Sequence, residues 1–157
     1  MLKLIESKKK EKRKNLTKTV FISDIHIPYQ DKPALAMAME VIKDLKLKSN
    51  DNVIIGGDLV DYYPVSNFSP DLMSSNIEVE LFQAVEWLNN LRKIVPKSSI
   101  YFFQGNHEER MHKAMVEKLP EATYLAKAFQ DSPALSVRNL LRLDDLHINY
   151  VGPYGED

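Results

Sequence analysis

Val53-Ile54-Ile55-Gly56-Gly57-Asp58-Leu59-Val60-Asp61 sets a short β-branched run directly against two glycines and a carboxylate. Such a run suits a strand, and the glycines allow a tight turn and close approach of backbone to a ligand, which a strand interior would penalise. Two other stretches repeat the arrangement: Thr19-Val20-Phe21-Ile22 runs into Ser23-Asp24-Ile25-His26, and Ile100-Tyr101-Phe102-Phe103 into Gln104-Gly105-Asn106-His107-Glu108. Segments of helical period separate them. Leu35, Met39, Ile42 and Leu45 share one face of a first helix, with Asp31 and Pro33 suited to its first turn. Leu81, Val85, Leu88, Leu91 and Val95 mark a longer helix that stops before Pro96. The alternation predicts βαβ units and a largely parallel sheet, whose ligand sites lie beyond the carboxyl ends of the strands. All three polar clusters fall at such ends and converge on one rim. Further helices are expected over 108–118 and 121–130, residues 137–143 read either way, and Ile148-Asn149-Tyr150-Val151 is a fourth strand.

The clusters are rich in hard and imidazole ligands. A phosphoester resists hydrolysis because an anionic nucleophile must approach an anionic phosphorus centre. Two divalent ions about 3.5 to 4 Å apart neutralise that charge and generate a bridging hydroxide. Asp58 is placed to give one carboxylate oxygen to each ion. Asp24 and His26, at i and i+2 of an extended strand end, point to one side and share a metal. Asn106 offers a neutral amide oxygen. His107 follows on the same rim, suited to protonate a departing alkoxide, with Asp61 as the carboxylate that orients it. Taken singly, each cluster has a plainer explanation; Asn106, for instance, could simply cap the following helix. Their order, each immediately after a strand and separated by helix-length spacers, is what points to chemistry.

At these residues the chain resembles the calcineurin-like metallophosphoesterase superfamily, through D-x-H, GD-x-x-D and GNHE, over about residues 19 to 155. The resemblance implies an α/β sandwich of two β-sheets flanked by helices. It implies a first metal held by Asp24, His26 and Asp58, a second by Asp58 and Asn106, and His107 as leaving-group acid oriented by Asp61. Manganese, iron or zinc suits this mixed ligand set. The family pattern continues with further histidine motifs on C-terminal strands, which are missing from this chain. Tyr62 stands where the serine/threonine phosphatase branch carries an arginine, which disfavours a protein phosphatase.

The expected activity is therefore hydrolysis of phosphomonoesters or phosphodiesters. Two alternatives stand beside it: a catalytically incomplete binding module that self-associates through an exposed sheet edge, and a nuclease. Residues 1–18 form a basic tail and residues 19–157 the phosphoesterase domain. Clustered Lys and Arg in the tail, such as Lys8 to Lys14, could contact nucleic acid, although no aromatic residue is interleaved to stack on bases. Lys plus Arg (21) nearly balances Asp plus Glu (22), so net charge makes no case for a polyanionic partner. The absence of cysteine excludes disulfides and thiolate chemistry and suits the cytoplasm. No secretory leader or membrane span is expected. His112 and His147 read as surface residues. Glu108 reads as a first-turn acid favoured by the helix dipole, with contacts from it and Arg110 to the metal-holding residues as the alternative.

Overall fold

Four strands form one parallel sheet in the order β1-β2-β3-β4: β1 Thr19–Ile22, β2 Asn52–Ile55, β3 Ser99–Phe103 and β4 Ile148–Val151. The structure is a computed structural model and describes residues 16–66, 76–118, 121 and 136–152. Nearly all of the expected helix over 121–130 and of the basic tail lies outside the described residues.

The register aligns two apolar rows across the sheet, Val20-Val53-Ile100-Ile148 and Ile22-Ile55-Phe102-Tyr150. These rows form the core together with helix α1, Lys32–Asp44, and helix α2, Ile77–Ile94, which touch one another. The Asp31 carboxylate accepts the N–H of Ala34 and Asn76 accepts that of Val79, so each helix starts on a side-chain cap. Pro33 lies in the first turn of α1, as expected. The opposite face carries the row Phe21-Ile54-Tyr101-Asn149 and is more open, with Phe21 66% exposed. Among the described residues one sheet is present and no helix is long and apolar enough to cross a membrane.

The buried stripe of α2 is Glu80, Ala84, Trp87, Leu88 and Leu91. It is rotated from the expected one because a glutamate occupies a core position, and Leu81 and Val85 instead flank an open groove. Helix α3, Asn106–Lys118, begins directly at the third polar cluster. Residues 137–143 resolve into a one-turn helix α4, Val137–Leu140, followed by turns that bury Leu141, Leu143 and Leu146.

Candidate metal centre

The chain continues past β1 and β2 as two strands of loop running side by side. Asp24 N–H donates to Gly57 O, His26 N–H to Asp58 O and Ile27 N–H to Leu59 O, while Asp61 N–H donates back to Ile27 O. Ile25, Ile27, Leu59 and Val60 are buried beneath this ladder and fix it to the core. The third cluster closes on it from β3. Gly57, at φ 92, lies against the Gly105 backbone, and the Asp58 carboxylate occupies space that any Cβ at residue 105 would fill. Asp58 Oδ1 accepts the N–H of His107 at 2.8 Å, which joins the ends of β2 and β3.

His26, Asp58 and His107 thereby bring one ligand atom each within 4.8 Å of one another. The two imidazoles meet edge to face with centroids 4.3 Å apart. Asp61 organises both. Its Oδ2 lies 3.2 Å from His26 Nδ1, and its backbone carbonyl accepts from His107 Nδ1 at 2.9 Å, with Oδ2 farther from that nitrogen at 3.5 Å. Asp61 thus meets His107 mainly through its carbonyl and His26 through its carboxylate. With Nδ1 engaged, His26 is left with Nε2 as its ligating atom. His107 is held as the Nδ1–H tautomer, because its Nε2 accepts from Arg110 Nη2 at 2.8 Å.

The other two expected ligands are exposed. Asn106 is exposed at the start of α3, and Asp24 is exposed outside the three-residue group. The i, i+2 expectation for Asp24 and His26 allowed an extended or a turning strand end, and the chain turns here: both residues are left-handed, at φ 56 and 54. His112 and His147 are exposed, as expected.

Glu108 is a core residue of the site and not a solvated first-turn acid. Fully buried, it accepts four backbone N–H groups: Leu59 and Val60 on Oε1, Asp58 and Gly105 on Oε2. Burial pushes its carboxyl up, and the N–H groups of Val60, Asp58 and Gly105 pull it back. The signal was present in the sequence, since a loop of consecutive N–H groups after Gly57 needs an acceptor. Which carboxylate would supply it was not readable from spacing.

A parallel α/β sheet thus brings imidazole and carboxylate groups from three adjacent strand ends to one rim, a group that could hold a metal ion. The profile of the calcineurin-like phosphoesterase family matches residues 17–156, and the chain belongs to that family, whose chemistry is metal-dependent phosphoester hydrolysis. No curated protein and no solved structure matches the chain. The donor set fits a divalent cation: neutral imidazole nitrogen and carboxylate oxygen, gathered where glycine at 105 leaves room for the carboxylate.

Proposed function

We propose that the chain hydrolyses phosphomonoesters or phosphodiesters with two divalent ions, manganese, iron or zinc, held about Asp58. The observation that carries this reading is the convergence of His26, Asp58 and His107 ligand atoms within 4.8 Å at the ends of three adjacent parallel strands. Bound ions would neutralise phosphoryl charge and supply an activated water. His26 Nε2 and the Asp58 carboxylate would hold them, with Asp24 and Asn106, from the strands flanking β2, completing the set by side-chain rotation. His107, anchored through Nδ1 on the Asp61 carbonyl, would give a proton from Nε2 to the leaving oxygen in its doubly protonated form, once Arg110 turns from that nitrogen to the substrate.

Manganese uptake and hydrolysis of a monoester and a diester by the wild type, Asp58→Asn and His107→Asn test the reading. Asp58→Asn should lose the metal. His107→Asn should keep most of it and lose about 10²- to 10⁴-fold in rate. A wild type that takes up no manganese and cleaves neither ester overturns the proposal. Loss of metal from His107→Asn equal to that from Asp58→Asn would make His107 a ligand and not the acid. The non-catalytic reading draws on the open face around Phe21, and sedimentation separates it: metal-free self-association without hydrolysis favours a binding module.

A further inference from the structure

We infer that Arg110 grips the phosphoryl oxygens of the substrate, an inference that rests on the hydrolytic reading above. Arg110 stands three residues past His107 on α3, so the two side chains share a helix face. Its Nη2 donates to His107 Nε2 at 2.8 Å, and its Nη1 donates to the Asp61 carbonyl at 3.1 Å and lies 3.7 Å from Asp61 Oδ1. A guanidinium carries five N–H donors in one plane. These contacts engage one hydrogen on each terminal nitrogen, which leaves Nε–H and two more without a partner among the described residues. That remainder suits a two-pronged contact to a phosphoryl group.

Position supports the same role. The guanidinium covers His107 Nε2, the nitrogen that must face a leaving oxygen, so a substrate reaching that nitrogen meets Arg110 first. The side chain is 25% exposed and lines a cleft with Val65, Ser66 and Lys113. An incoming phosphoryl anion meets carboxylates at Asp24, Asp58 and Asp61, and Arg110 sets a cation directly beside Asp61. The residue after Asp61 cannot do this, because Tyr62 is fully buried and its hydroxyl has no access to the rim. Lys113, one turn farther along α3, is engaged by Glu109 at 2.9 Å.

The test is calorimetric binding of inorganic phosphate to the manganese-loaded chain as wild type, Arg110→Gln and Arg110→Lys. Manganese uptake and thermal midpoint are followed alongside. Arg110→Gln should keep both controls and weaken phosphate binding about 10- to 100-fold, with KM for a phosphoester rising in proportion. Arg110→Lys should recover part of the affinity, since it restores charge without the fork. Unchanged phosphate affinity in a manganese-loaded Arg110→Gln overturns the inference, and so does a fall in kcat alone, which would make Arg110 a positioning residue for His107. Should Arg110→Gln fail to fold, Arg110→Lys decides: weakened phosphate binding at an unchanged thermal midpoint supports the inference, and wild-type binding overturns it. A wild type that takes up no manganese fails the hydrolytic reading itself, a result distinct from failure at Arg110.

Discussion

Asp58 can occupy its position because residue 105 is glycine. A Cβ there would lie 2.2 Å from Asp58 Oδ1 and 2.4 Å from the Asp58 backbone nitrogen, and backbone cannot swing aside as a flexible side chain can. Gly105→Ala should therefore push the ends of β2 and β3 apart. The expected cost is about 1–3 kcal/mol of stability, with a loss of manganese affinity, read by denaturant unfolding and metal titration. An alanine variant with wild-type metal affinity would show that the fit is looser than these distances require. The same residues carry backbone strain. Asp24, His26, Asp58 and Tyr62 all sit at positive φ, between 52 and 56, where each non-glycine residue costs on the order of 1 kcal/mol or more. Identity at these positions was legible in the sequence, because residue types and spacing suffice to nominate ligands. Their conformation was not, since aspartate, histidine and tyrosine carry no local signal for left-handed backbone comparable to that of glycine.

At the scale of elements, the site depends on how loops and helix ends are tied. Arg92, near the end of α2, donates to four backbone carbonyls: Val95 and Ser98 ahead of β3, and Leu146 and His147 ahead of β4. One side chain thus sets where two strands begin. Arg92→Met keeps much of the apolar stem but leaves those carbonyls without their donor, so it should cost about 2–4 kcal/mol, seen as a lower thermal midpoint. Retention of the wild-type midpoint would mean that water satisfies the carbonyls as well as the guanidinium does. The strands and the starts of α1 and α3 were readable from period and capping residues. The buried face of α2 was readable only in part. Its pattern of leucine and valine placed Leu88, Leu91 and Val95 correctly in the core, but gave no sign that Glu80 is buried beside them, where its Oε2 accepts Tyr62 N–H at 2.8 Å.

Across the whole molecule, buried carboxylates make stability depend on pH. Burial pushes Glu80 from 4.5 up to about 7, the Tyr62 N–H opposes this, and the Asp61 charge adds to it. The folded state therefore holds this proton at pH values where the unfolded chain has released it, so the Glu80 contribution to stability declines as pH rises from 4.5 through 7. The loss is on the order of 2–3 kcal/mol. Asp51 acts with the opposite sign: backbone N–H groups of Lys18 and Lys48 hold its carboxyl below the usual range, so its contribution is present above 3.8 and is lost in acid. Unfolding free energies of wild type and Glu80→Gln, compared from pH 4 to 8, should diverge in favour of the variant on the alkaline side; parallel curves would rule Glu80 out as the source. The sequence by itself determined the parallel α/β sheet, the convergence of three polar clusters on one rim and the family, because side-chain period and short motifs are local properties. Only the tertiary structure decided that Glu108 is a buried acceptor for four N–H groups, that Asp61 meets two histidines by different atoms and that the Arg110 guanidinium lies on His107 Nε2. The contacts of Glu108 with Asp58, Leu59 and Val60, and of Asp61 with His26, His107 and Arg110, join residues about 35 to 50 positions apart in the chain, which spacing along the chain does not encode.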